Sequence, residues 1–149
     1  MTPEALRSLA RVHGVLAWVS VAALAIAVVA VWRRRASGAL LGALAAGIGA
    51  ATFATGAALH GPFQAKLRQR LFLASAALGW LFERKEHAVF GALALSICGA
   101  LALGAERLSG GGGGARDLRR AGMVALGCAL ALEVFALGVS IAAARRVAF

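Results

Sequence analysis

The chain has 149 residues, of which 61% are hydrophobic, and its formal net charge at pH 7 is +10. An ordinary soluble domain has about half of its residues apolar, whereas this sequence has a mean hydropathy of +0.83 and gathers Ala, Leu, Val and Gly in long runs. These properties argue against a soluble domain, and two cysteines without CxxC spacing argue against a disulfide framework or a zinc site. We expect residues 1–149 to form a single integral membrane domain.

The basic residues lie in short clusters between the apolar runs, for example at 33–35, 116–120 and 145–146. Clusters of this kind flank membrane spans and bind anionic head groups. Aromatic residues are few and do not interleave with the bases, so the sequence lacks a base-stacking surface for nucleic acid. We therefore expect a lipid bilayer with anionic head groups, and not nucleic acid, as the partner of these charges.

Four apolar runs are long enough to cross the hydrocarbon core, which needs roughly 20 apolar residues. They cover residues 12–32, 36–59, 88–105 and 121–144, and each has polar or charged flanks. The first run is too long for the apolar part of a secretion signal and ends in three arginines, which indicates a retained span. The sequence predicts an all-α membrane protein, built as a bundle of four transmembrane helices.

The connection between the second and third spans is itself partly apolar. Residues 63–82 begin with basic and apolar side chains in alternation and continue as an apolar stretch too short to span a membrane. This pattern predicts an interfacial or re-entrant amphipathic helix over residues 63–82. The alternative extends the third span back through Phe82, which would place the charged residues 83–87 inside one very long helix.

Glycines mark two further places in the chain. Five consecutive glycines at 110–114 lack the Lys-Ser/Thr of a phosphate-binding loop, so we interpret them as a flexible linker between the third and fourth spans. The second span contains the small-xxx-small pairs Gly38/Gly42 and Ala45/Gly49, which allow close helix packing. We expect that span to lie at the centre of the bundle.

Four spans place both termini and the 60–87 connection on one side of the membrane, which we name the terminal face; the other side is the opposite face. The terminal face carries slightly more bases, and the positive-inside rule therefore favours termini in the cytoplasm of a bacterial inner membrane. Its nine bases are Arg7, Arg11, Lys66, Arg68, Arg70, Arg84, Lys85, Arg145 and Arg146, against seven at the opposite face: Arg33, Arg34, Arg35, Arg107, Arg116, Arg119 and Arg120.

The topology brings three histidines to the terminal face at similar depth, namely His13, His60 and His87. A b-type haem in a helical bundle needs two imidazoles from different helices, so these three are candidate haem ligands. A non-haem metal would also recruit carboxylates, for which Glu83 and Glu86 are candidates. The third interpretation is that histidine, being polar, simply favours the membrane interface.

Glu133 lies in the middle of the fourth span, about 16–18 Å from either end. A carboxyl group at this depth is energetically costly and is often functional. No Lys, Arg or His shares its depth, so we expect it to be protonated or hydrogen-bonded to a hydroxyl or an indole. Its role would be that of a proton carrier, a quinone partner or an ion ligand, or simply of a polar link between helices. The candidate partners are Thr52, Thr55, Ser20, Ser96 and Trp18.

No hydrolytic motif occurs, because the serines lack a G-x-S-x-G context and Asp117 is the only aspartate. We therefore do not expect an enzyme acting on its own. Two hypotheses remain. The first is an accessory or structural subunit that packs against other membrane subunits or a second copy. The second is an electron-transfer protein that handles haem b, quinone or protons, with the three histidines and Glu133 as its site.

Overall fold

The computed structural model describes residues 2–109 and 113–147. Within these residues it contains helices and no strands. Four of the helices are long and apolar enough to cross a membrane, so the chain is a small multi-pass membrane protein and the predicted all-α four-helix bundle is confirmed. The helices are α1 (Pro3–Trp32), α2 (Gly38–Lys66), α3 (Arg68–Ala74), α4 (Ala76–Leu108) and α5 (Gly113–Ala144).

The four long helices form a closed ring in the order α1, α2, α4, α5. Helix α1 packs against α2 and α5, and α4 packs against α2 and α5. The tight connections make sequence neighbours antiparallel, which gathers the termini and the α2–α4 connection at the terminal face. The short helix α3 packs on α4 and on the end of α2.

The half of the bundle towards the opposite face is packed with apolar side chains. Between helices in a bilayer, association depends on van der Waals packing rather than on a hydrophobic driving force. We name this group the apolar cluster; its buried members are Leu24, Ala27, Val31, Ala45, Leu103, Leu126 and Ala129.

Helices α4 and α5 approach each other closely at a pair of glycines. A Cβ atom added to Gly99 would lie 2.9 Å from Leu126 Cγ and 3.1 Å from the carbonyl oxygen of Gly122. A Cβ atom added to Gly122 would lie 2.8 Å from Leu103 Cγ and 3.1 Å from the carbonyl oxygen of Gly99. The two backbones therefore meet where neither helix has a side chain.

The connector between the second and third spans differs from its prediction. A short helix does lie there, but it covers only Arg68–Ala74, and the predicted boundary at Phe82 is wrong. Ser75 separates the helices, since its backbone is extended and its Oγ accepts a hydrogen bond from the Leu78 N–H at 3.3 Å, which caps α4. From there α4 continues without a break through residues 83–87, as in the alternative interpretation.

The charged residues fit inside α4 because the helix is longer than the bilayer core is thick. Its 33 residues extend to about 50 Å, against a core of about 30 Å. Two of the charges also have ionic partners: Glu83 accepts from Arg68 Nη2 at 2.5 Å, and Glu86 contacts His60 Nδ1 at 3.1 Å. High charge density argues against deep burial but not against a continuous helix.

The predicted glycine linker at 110–114 is wrong at its C-terminal end, because Gly113 and Gly114 begin α5. Residues 110–112, the rest of the predicted linker, lie outside the described residues.

Replacement of Gly122 by valine tests the close approach of α4 and α5. We expect Gly122→Val to lower the free energy of unfolding by about 1–3 kcal/mol, because the new side chain overlaps Leu103 and the facing backbone. Unfolding by SDS in mixed micelles measures this. The matched control is Gly127→Val in the same helix, where an added Cβ meets nothing within 4 Å. Equal effects of the two substitutions would contradict the packing described here.

Candidate functional site

The carboxyl group of Glu133 accepts a hydrogen bond from a serine hydroxyl on a neighbouring helix. Ser20 of α1 is fully buried, and its Oγ donates a hydrogen bond of 2.9 Å to Glu133 Oε1 on α5. Gly49 of α2 borders the same atoms, since a Cβ added there would lie 3.6 Å from Glu133 Oε1 and 3.7 Å from Ser20 Oγ. Three helices thus meet at one carboxyl group.

The other candidate partners of Glu133 have different contacts. The hydroxyls of Thr52 and Ser96 donate to carbonyls one turn back in their own helices, at 2.9 Å and 2.8 Å. The Thr55 hydroxyl donates to the Thr52 carbonyl at 2.8 Å. Trp18 is exposed on the outer surface. Back-bonding of this kind is common for Ser and Thr inside helices, and it removes these hydroxyls from competition for the carboxyl group.

His13 packs into α2 about two helical turns from Ser20. Its Nδ1 lies 3.1 Å from the carbonyl oxygen of Thr52 and 3.1 Å from Thr55 Oγ1. A carbonyl oxygen only accepts, so the first contact is a hydrogen bond when Nδ1 carries the proton. A Cβ added to Gly56 would lie 2.9 Å from His13 Cε1. The imidazole therefore occupies space left by the missing side chain of Gly56.

Lys85 is a functional candidate that sequence reasoning missed, because it was counted among the bases that face head groups. Its Nζ donates to Ser140 Oγ of α5 at 2.7 Å and lies 3.9 Å from the centroid of the Phe82 ring. The helical period could have indicated the inward position of Lys85. This residue lies two turns before Ala92 on the buried face of α4, which continues through Ser96.

These groups form one polar column inside the terminal half of the bundle: Lys85, Ser140, His13, Thr52, Thr55, Ser20 and Glu133. It has two levels. On α1, His13 and Ser20 are seven residues apart, and on α5 Ser140 and Glu133 are seven apart, which is about 10 Å along each axis. Beyond Glu133, towards the opposite face, the apolar cluster begins. The column's polar groups therefore lie on the terminal side of Glu133. A second apolar group, with Phe63, Leu67, Leu71 and Ala143 as its buried members, also lies on that side, near the terminal face.

The three predicted histidine ligands have three different sets of partners. His13 contacts α2, His60 Nδ1 contacts Glu86, and His87 Nδ1 lies 3.2 Å from the carbonyl oxygen of Glu83 in its own helix. Across residues 2–109 and 113–147, no group of three or more His, Cys, Asp or Glu side chains is placed to hold a metal ion. The shared depth that the sequence suggested does not bring the imidazoles to a common partner.

The polar column consists of groups that can bind or release protons. A carboxyl group, an imidazole and several hydroxyls can each give and take a proton or a hydrogen bond. No protein-family model matches the chain, and no curated protein or solved structure is significantly similar to it.

Proposed function

We propose that the protein is a proton-handling membrane protein, in which Glu133 exchanges a proton with the aqueous phase at the terminal face. The observation that carries this proposal is the position of Glu133 at the inner end of the polar column, immediately before the apolar cluster. Polar side chains that reach mid-membrane from one side are costly, and groups of this kind mark proton pathways in membrane proteins.

The Ser20–Glu133 hydrogen bond suits such a role. A protonated carboxyl group has one O–H donor, whereas an ionised one only accepts. Ser20 donates to Oε1, and this contact is compatible with both forms. The carboxyl group therefore keeps its position while a proton arrives at or leaves Oε2.

His13 and the hydroxyls around it are the groups that would pass the proton on. An imidazole can accept a proton on one nitrogen and release it from the other, and Thr55 presents a hydroxyl to Nδ1. The two levels of the column are about 10 Å apart, farther than one hydrogen bond reaches. We propose that water bridges them, because Thr52 lies on α2 between Gly49 at the Glu133 level and Gly56 at the His13 level.

The apolar cluster gives the proposed exchange its direction. Its buried members have no donor or acceptor side chain, and the nearby buried hydroxyl of Ser96 donates to its own helix. Proton exchange would therefore occur with the terminal face, and a protein at rest would not leak protons across the bilayer. The separate partners of the three histidines favour this proton role over haem binding, and the proposal includes neither haem b nor a quinone.

Hydrogen–deuterium exchange at the carboxyl group tests the proposal. In liposomes, the infrared C=O band of a protonated Glu133 should disappear in Glu133→Gln and shift in wild type on transfer to D₂O. We expect His13→Phe to slow the shift by roughly tenfold or more, because a relay group is lost.

Two control variants accompany this measurement. Glu106→Gln removes a carboxyl group near the opposite face and should keep the band, and Ser96→Ala removes a buried hydroxyl outside the column and should keep the wild-type rate. A wild-type band that survives in D₂O for hours, or no loss of a band in Glu133→Gln, would contradict the proposal.

A second candidate function, an accessory or structural subunit, is favoured by the outer surface of α2. From position 47 to the helix end, the exposed residues of this surface include no large apolar side chain, and a Cβ added at Gly47 or Gly61 would meet nothing within 4 Å. Such a smooth surface suits close packing of another transmembrane helix. The exposed small residues are Gly47, Ala50, Ala51, Ala54, Ala57, Ala58, Gly61 and Ala65.

Leucine substitutions on that surface test the subunit role. If α2 packs on another subunit or a second copy, Gly47→Leu with Ala54→Leu should dissociate the assembly during native electrophoresis in mild detergent. The control pair Ala22→Leu with Ala131→Leu alters exposed sites on α1 and α5 and should leave it intact. Migration of the wild type as a monomer would exclude this role.

We also propose a bacterial inner membrane with cytoplasmic termini, on the basis of nine bases at the terminal face against seven at the opposite face. A C-terminal reporter that is active in only one compartment decides the orientation.

A further inference from the structure

The opposite face contains a basic cavity of about 140 Å³ between the α1–α2 turn, the end of α4 and the start of α5. Four arginines and a single carboxylate line it, so the cavity is strongly cationic. Its charged lining residues are Arg34, Arg35, Arg107, Arg119 and Glu106.

Among the residues that the structure describes, only one of these four arginines has protein partners for its side chain. Arg119 Nη2 donates to the Val31 carbonyl at the end of α1 at 2.6 Å, and its Nη1 lies 3.5 Å from Glu106 Oε1. For the other three, no salt bridge is formed within the described part of the chain. Their charge is therefore available to an anion.

The backbone of Arg34 supports a role for its side chain. Its φ of 53° lies in the left-handed region, where an L residue with a Cβ is strained and glycine is favoured. The turn closes α1 with hydrogen bonds from the Arg34 N–H to Val31 and from the Arg35 N–H to Ala30. Arginine is unfavourable here for the turn itself, yet its side chain lines the cavity.

A second, larger cavity of about 400 Å³ adjoins the first on the outer surface of α1 and α2. It is mainly apolar, and it runs along α1 from Arg33 back to Ala25, which is about 12 Å. Arg35 borders both cavities. A cationic cavity and an apolar groove thus lie next to each other at this end of the bundle, with one arginine in common.

We propose that these two cavities bind one anionic phospholipid, with its phosphate on Arg34, Arg35 and Arg107 and an acyl chain in the groove between α1 and α2. Guanidinium groups bind phosphate oxygens through paired, charge-assisted hydrogen bonds. Basic pockets between membrane helices attract anionic head groups. A phospholipid fits better than free phosphate, because its acyl chain occupies the apolar groove. This site is independent of the polar column and of the proposed function.

Native mass spectrometry of the full chain in detergent, titrated with phosphatidylglycerol or phosphatidylcholine, tests the site. We expect phosphatidylglycerol to bind more tightly, and Arg35→Gln with Arg107→Gln to weaken it by about fivefold per arginine, or roughly 25-fold for the pair. The control pair Arg116→Gln with Arg120→Gln removes the same charge at the same face outside both cavities and should keep near-wild-type affinity.

Arg34→Gly separates loss of binding from loss of folding. Glycine relieves the left-handed backbone strain, so the thermal midpoint should stay the same or rise while affinity for phosphatidylglycerol falls about fivefold. Unchanged affinity in this variant would overturn the assignment of Arg34.

Filling the groove separates a lipid from a simple anion. Ala25→Trp blocks the groove, whereas Ala22→Trp alters the exposed surface of α1 outside it. We expect the first to weaken binding of phosphatidylglycerol and the second to leave it unchanged. Equal affinity for phosphatidylcholine, an equal loss in the control pair of arginines, or full displacement by inorganic phosphate with no effect of Ala25→Trp would each overturn the proposal.

Discussion

The hydrogen bond between Ser20 and Glu133 is the interaction on which the interior of this bundle depends. It joins the first and last transmembrane helices at mid-membrane, at a distance of 2.9 Å, where a buried carboxyl group needs a hydrogen-bond partner from the protein. Gly49 brings α2 to the same point without a side chain in the way. The contact therefore fixes the rotation of α1 and α5 towards each other. It also decides which other residues of those helices face inward, among them His13 and Ser140, each two turns away.

The helical period explains why the polar groups form a column. Residues seven apart on a helix return to nearly the same face, so the inward positions of Ser20 and Glu133 imply inward positions for His13 and Ser140. The same period on the other halves of α1 and α5 places Leu24, Ala27, Leu126 and Ala129 in the apolar cluster. Glu133 thus lies where the polar column ends and the apolar cluster begins.

The sequence predicted the number and approximate positions of the spans, the depth of Glu133 and a set of partners that included Ser20. It could not select Ser20 from that set, because selection depends on which helix faces meet, and hydropathy along one helix does not encode its neighbours. Thr52 and Ser96 were equally reasonable by depth, but both bond to their own backbones. Lys85 was misread for the related reason that its charge suggested a head-group contact, whereas extending α4 through 83–87 places it on the buried face. The depth of a residue in the membrane can therefore be predicted from the sequence, whereas the rotation of its helix about its own axis is much harder to predict.

A double-mutant cycle between Ser20→Ala and Glu133→Met tests the central contact most directly. The free energies of unfolding of the wild type, both single variants and the double variant are measured by SDS titration in mixed micelles. Interhelical hydrogen bonds in membranes contribute about 0.6 kcal/mol on average and up to about 1.7 kcal/mol, and we predict a favourable coupling energy of about 1 kcal/mol. Ser96→Ala is the matched control, because Ser96 is equally buried but bonds its own helix, and its coupling to Glu133→Met should be near zero. A coupling energy for Ser20 that equals that of Ser96 would contradict the structure of the polar column.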